Sequence, residues 1–314
     1  MRWLESWAAR RRGRVADHNP WRVGLEVGRA ASRNRLTGTA AEMSFYAVLG
    51  LVPLTVAFGA ALGYLERIVG PASIAEGQDA AILVLITLLG PELTADTVAP
   101  FVRTQLAQER GGLALGGLLV AFWLGSRMFT PALHALDLAH AVEARRSEMR
   151  QRLVGLGMAV GSLLASVLTL VIMIVGPLLG TAQIVADRLG IGQTYRLLWV
   201  IGRWPLLLLI LVGFLVGFYR FAPSVAPPWK ACLPGAVAAM ATWILVALGF
   251  RLYLTVGGRP GAGVTAQQEV IVLVGRVVGA VVATMLWTFL SSMAILLGGE
   301  VNGALARRDA DAKH

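Results

Sequence analysis

Long apolar runs alternate with short polar clusters along this chain. A helix that crosses a bilayer needs about 20 mostly apolar residues. Six stretches meet that test: Ala40–Tyr64, Gly112–Ala132, Leu153–Leu178, Leu197–Phe221, Ala231–Thr255 and Gly275–Gly299. A seventh, Ala80–Leu89, is too short and stops at Gly90-Pro91, so it reads as an interfacial or buried external helix. The pattern predicts an all-α fold, a polytopic membrane bundle of six transmembrane helices with short amphipathic helices. Residues 1–39 form a basic cytoplasmic amphipathic arm, 40–299 the transmembrane domain and 300–314 a cytoplasmic tail. Within the domain, 65–111 carries external loop helices, and 133–152 reads as a helical arm continuing the second span into the cytoplasm.

The polar clusters supply an orientation. Before the first span lie Arg10, Arg11, Arg12, Arg14, Arg22, Arg29, Arg33 and Arg35, among others. The next connection is acidic on balance, with Glu66, Glu76, Asp79, Glu92 and Asp96. The one after it carries Arg145, Arg146, Arg150 and Arg152. Basic and neutral or acidic connections go on alternating to Arg307, Arg308 and Lys313. Cytoplasmic loops hold the excess of Lys and Arg, so both termini are expected in the cytoplasm. In the amino-terminal arm, Trp3, Leu4 and Trp7 stand beside the arginines, and Trp21 and Leu25 follow one turn apart. That composition suits basic helices lying on an anionic leaflet; the alternative is a frayed tail. No apolar core long enough for a signal peptide occurs in the first 35 residues.

Composition agrees with the pattern. The 314 residues are 56% hydrophobic and 15% charged, where soluble domains carry about a quarter charged residues. The net charge of +10 is carried almost wholly by arginine at the ends of the apolar runs, which points to membrane loops rather than to nucleic acid. The single cysteine, Cys232, excludes an intramolecular disulfide and reads as a small apolar residue at a helix start.

Three stretches carry a resemblance. The first is Ala40-Ala41-Glu42-Met43-Ser44-Phe45-Tyr46 through Pro53-Leu54. The second is Phe218-Tyr219-Arg220-Phe221-Ala222-Pro223 with Pro228-Trp229-Lys230 and Pro234-Gly235-Ala236. The third is Leu286-Trp287-Thr288-Phe289-Leu290-Ser291-Ser292 with Gly298-Gly299-Glu300-Val301-Asn302. In order and spacing they resemble the YihY/BrkB family of bacterial inner-membrane proteins, over roughly Arg33 to Arg307. Arg203, Phe250 and Tyr253 fit the same pattern. The resemblance implies six spans with both ends inside. It carries two old labels, virulence or serum-resistance factor and ribonuclease BN, the latter regarded as a mistaken assignment. It also implies a link to export of envelope lipids or solutes. Two positions depart from the family pattern: Asp137-Leu138-Ala139-His140 replaces an Asn-x-Ile-Tyr or Asn-x-Ile-Trp motif, and Gly275-Arg276 replaces Tyr-Gly.

The candidate transport or gating residues are Glu42, Pro53, Arg203, Arg220, Arg251, Arg276, Glu300 and Asn302. Glu42 is an intramembrane carboxylate, a functional candidate by default; near the interface it would instead pair with Arg33 or Arg35. Glu300 and Asn302 end the last span at the depth of Glu42, so a polar cluster with Arg220 or Lys230 is expected, as an inner-face lock or a gate. Arg203, Arg251 and Arg276 fall near the outer ends of three spans, where they either snorkel or form a ring for anionic head groups. Pro53 removes a backbone hydrogen bond and kinks its helix; Pro234-Gly235 opens the fifth span. Glycine pairs four apart, such as Gly157/Gly161, Gly213/Gly217 and Gly275/Gly279, suit close packing without marking an interface.

An enzyme is not expected. His134, Asp137 and His140 spread too widely around a helix for one metal, and no nucleotide or nucleophile motif is present. The expectation is a protein without metal, cofactor or nucleic acid. Its partners would be membrane lipids and an anionic amphiphilic substrate, which it transports or flips; the alternative is a scaffold of envelope assembly.

Overall fold

A computed structural model describes residues 20–69, 111–142, 146–178, 192–256 and 266–311. Among them are seven helices and no strand: α1 Pro20–Arg33, α2 Leu36–Val69, α3 Gly111–Ala139, α4 Glu148–Leu178, α5 Gly192–Phe221, α6 Trp229–Val256 and α7 Ala266–Asp311. Each of the six long apolar stretches falls within one helix, α2 to α7 in order. The extreme amino-terminal arginines, Ala80–Leu89 and the glycine-rich connection near Gly257 lie outside the described residues.

These helices keep their apolar side chains outside. α4, α5, α6 and α7 each contain a stretch long and apolar enough to cross a membrane, and little of each stretch is buried inside the protein. Leu119, Leu164, Leu209, Leu245 and Val282 project from the surface. In water such faces would aggregate; against lipid tails they are satisfied. The backbone of each helix is meanwhile bonded within itself, as a bilayer requires.

Packing divides the chain into two compact units. The first joins Met1–Val48, Gly125–Met158 and Val212–His314. Its core is the carboxyl-terminal half of α7, which lies along α6 and against α1. Three glycines of α7 make that approach close. A Cβ on Gly298 would collide with the Gly235 carbonyl of α6 and the Tyr219 hydroxyl of α5. One on Gly299 would strike Leu136 of α3, and one on Gly303 the Ala139 backbone. Gly235 answers from α6, where a Cβ would meet Gly298 and Asn302. An aromatic layer of Phe129, Phe214 and Phe218 fills the space beside this seam. The second unit joins Leu49–Leu124 and Ala159–Leu211. There Gly50 faces Leu124 at an ordinary packing distance of 3.6 Å from an added Cβ.

Three expectations change. The arm over 133–152 is not one helix: α3 stops at Ala139 and α4 starts at Glu148. The stop is a Schellman motif, with Val142 N–H donating to Asp137 O (3.0 Å) and Ala141 N–H to Leu138 O (3.0 Å). Ala141 takes the left-handed position at φ 54°, where glycine is usual, so sequence composition conceals the break. The tail over 300–314 is not separate, because α7 runs on to Asp311. Pro234 does not open its helix; α6 begins at Trp229 and carries Pro234 inside. The glycine pairs that suit packing mostly do not serve it: Gly157, Gly213, Gly217 and Gly279 face open space.

Three substitutions test this account by thermal unfolding in detergent. Gly298→Ala is expected to lose about 1–3 kcal/mol through overpacking against backbone, while Gly116→Ala, at an open position, is expected to lose nothing. Ala141→Gly is expected to gain about 0.5–1 kcal/mol by relieving the left-handed alanine.

Candidate functional site

The carboxyl-terminal half of α7 gathers the polar residues of the first unit. Glu300 is 1% exposed and Asn302 4%, because both project from the glycine seam into neighbouring helices. The Asn302 amide enters the first turns of α6. Its Oδ1 accepts the Gly235 N–H (2.7 Å) and its Nδ2 donates to Cys232 O (3.2 Å). Pro234 lies between those two residues and has no N–H to give, so the side chain of α7 bridges a turn that its own backbone supports poorly.

Glu300 faces the elbow between α1 and α2. There Asn34 N–H bonds to Ala30 O (2.8 Å) and Arg35 turns into the left-handed region at φ 52°. The turn aims the Asn34 amide at α7, where Nδ2 donates to Glu300 Oε1 at 2.6 Å. Oε2 of the same carboxylate is buried without a hydrogen-bond partner. Further along, Arg308 pairs with Glu26 of α1 at 2.7 Å, and Arg307 donates to Ala139 O at the end of α3. Tyr219 ties α5 to the same helix through a 2.6 Å bond from its hydroxyl to Ile295 O.

A second polar knot sits at the end of α5. Asp137 accepts Ser224 N–H at Oδ1 (2.5 Å) and the Ser224 hydroxyl at Oδ2 (2.8 Å). Arg146 donates to three successive carbonyls, Phe221 (3.1 Å), Ala222 (2.9 Å) and Pro223 (2.6 Å). A guanidinium at a helix carboxyl terminus satisfies orphan carbonyls and the negative end of the dipole. Burial lowers the proton affinity of Arg146 from the usual arginine range, and the Asp137 charge opposes that.

The expected cluster forms with different members. Glu300 and Asn302 are buried, but Glu42 is exposed on α2 and Lys230 is exposed on α6. Arg220 lies over the Phe221 ring at 5.8 Å with its Nε buried and unbonded, and it does not reach Glu300. Asn34, Tyr219 and Arg307 take the places at α7. Pro53 is half-buried within α2. Arg203 of the second unit lies over Trp204 at 5.5 Å, its Nε buried without a partner. Arg251 is exposed, and Arg276 lies in α7 with its side chain outside the description. His134, Asp137 and His140 diverge. His134 meets Gln151 (3.0 Å), Asp137 meets Ser224, and His140 Nδ1 meets Leu136 O (2.9 Å). No group of three metal-ligating side chains occurs among the described residues.

The three motif stretches turn out to be largely packing. Met43, Ser44, Phe218, Tyr219, Ala222, Pro223, Gly235, Ala236 and Gly298 to Glu300 are all buried in the first unit. Sequence reasoning missed Asn34, Asp137 and Arg146. Asp137 was marked only as a departure and a poor metal ligand and Arg146 only as part of a basic connection, since the partners of the three lie 266, 87 and 75 to 77 residues away.

A profile of the family described as "Virulence factor BrkB" matches residues 27–314. A Bacillus subtilis (strain 168) protein described as ribonuclease-like protein YfkH is 25% identical over 268 residues, which cover 85% of this chain and 89% of that protein. No solved structure matches the chain. Asn302→Leu is expected to cost about 2–4 kcal/mol in thermal unfolding, since it strands two buried backbone groups. Arg308→Ala, whose partner Glu26 is 44% exposed, is expected to cost less than about 1 kcal/mol.

Proposed function

The chain belongs to the virulence factor BrkB family, and from that premise we propose that it moves a lipid, lipid-linked or other anionic amphiphile across the bacterial inner membrane. In this reading α2 to α7 all span the bilayer and both termini are cytoplasmic. The cluster around Glu300 and Asn302 then lies at the inner face. One observation carries the transport reading: buried polar atoms without partners on membrane helices. They are Thr169 Oγ1, Arg203 Nε, Arg220 Nε and Glu300 Oε2. Burying such a group unpaired costs about 1–3 kcal/mol, more when charged, and ionisable groups at membrane depth mark pathways. A protein that only holds its partners together has no use for that penalty. Two of the four are arginines, suited to phosphate or carboxylate head groups.

A second reading, a scaffold of envelope assembly that moves nothing, is favoured by the backbone-close seam of α6 and α7. We propose no enzymatic activity. His134, Asp137 and His140, the residues a hydrolytic centre would draw on, bond to separate partners. The label of the Bacillus relative describes that protein.

Reconstitution separates the readings. Proteoliposomes carrying a fluorescent anionic phospholipid are expected to equilibrate it faster with the protein than without. Arg203→Ala is expected to slow this about tenfold, the loss of one charge-assisted contact, and Glu42→Gln to leave it unchanged. Equal rates with and without protein would favour the scaffold. Orientation is checked in a Cys232→Ala background by single cysteines at Ser32 and Ala306, both exposed. A membrane-impermeant maleimide is expected to label both only after the cytoplasmic face is opened.

A further inference from the structure

Glu300 has an incomplete set of partners that a proton would complete. The side chain is 1% exposed. One oxygen accepts Asn34 Nδ2 at 2.6 Å, and the other is buried with no donor in reach. An ionised carboxylate ordinarily accepts several hydrogen bonds, and a bare buried anionic oxygen is among the costliest groups a protein can hold. The basic side chains around it do not close on it. Arg307, on α7 itself, gives a hydrogen to Ala139 O. His140, after α3, is turned onto Leu136 O. Arg33, at the end of α1, is exposed. All three lie within electrostatic range of Glu300, yet none forms an ion pair with it.

That arrangement selects the ligand. A metal cation would bring its charge among Arg33, Arg307 and His140 and would find one free carboxylate oxygen, well short of the six or more that calcium takes. A proton needs no cavity, adds one O–H bond at Oε2 and leaves the carboxyl neutral, which removes the desolvation cost of the anion. We propose that Glu300 is a proton-binding site, loaded and unloaded at Oε2, on the contact that joins α7 to the α1–α2 elbow. Uptake takes one proton from water and release returns it, with no other covalent bond changed. Asn34 Nδ2 donates best to the ionised carboxylate, so proton uptake weakens the tie to the elbow. The proposal rests on the transport reading for its use, as the coupling ion of the same cluster.

The test reads the proton and not the substrate. The full chain in nanodiscs of phosphatidylethanolamine and phosphatidylglycerol is followed by infrared difference spectroscopy from mildly acidic to mildly basic pH. A protonated-carboxyl C=O band that titrates in the wild type is expected to vanish in Glu300→Gln and persist in Glu42→Gln. Asn34→Ala is expected to move its midpoint up by about one pH unit, since the lost bond favoured the ionised form. A band unchanged by Glu300→Gln, or a midpoint unmoved by Asn34→Ala, would overturn the assignment. Should Glu300→Gln not fold, the Asn34→Ala midpoint decides alone. An intact Glu300 band in a protein that moves no lipid sinks the transport reading and spares the proton site. Transport without the band does the reverse.

Discussion

The polar contacts of α7 depend on how closely it can lie against its neighbours. Between membrane helices there is little hydrophobic drive, because lipid tails are as apolar as leucine; association comes from dispersion and from interhelical hydrogen bonds. Both need short distances. Gly298, Gly299 and Gly303 remove the side chains that would hold α7 away from α5, α6 and α3. Only at that separation can Tyr219 reach the Ile295 carbonyl and Asn302 reach into α6. The glycines thus act through what they allow others to touch.

Several hydrogen bonds at the seam and beside it also repair a weak place in a backbone. Asn302 supports the turn that Pro234 weakens. Arg307 takes a carbonyl at the end of α3, and Arg146 takes three at the end of α5. The helix ends are the places where carbonyls lack intrahelical partners, and near a membrane there is less water to serve them. The first unit answers this with long side chains from distant parts of the chain. Glu300 is the exception to this pattern, with one oxygen served and the other bare.

The number and order of the long apolar helices were legible, because twenty apolar residues in a row leave few alternatives. Glu300 and Asn302 were legible as polar residues at the end of an apolar run. Their partners were not. Asn34 carries no periodic signal and is 266 residues from Glu300. The end of α3 was hidden because Ala141 adopts a backbone that composition assigns to glycine. The surroundings of Glu42 were not legible for a different reason. Depth along a helix can be read from sequence, but the face a single charge occupies depends on which neighbours pack there. The pairs of glycines four apart illustrate the same limit: Gly213 and Gly217 repeat at the right interval and face open space, while the seam uses Gly299 and Gly303.

The ties between α1 and α7 have a consequence for biogenesis. Asn34 meets Glu300 across 266 residues and Glu26 meets Arg308 across 282. Ribosomes add about 5–20 residues per second, so α1 emerges on the order of tens of seconds before the helix it packs against exists. During that interval its Val27 and Ala30, buried in the finished protein, lack the surface of α7. The surrounding leaflet is the available shelter, and the basic residues beside them suit it. The first amphipathic helix would then be a temporary lodger of the lipid surface, drawn into the bundle once residues 300–308 have been translated.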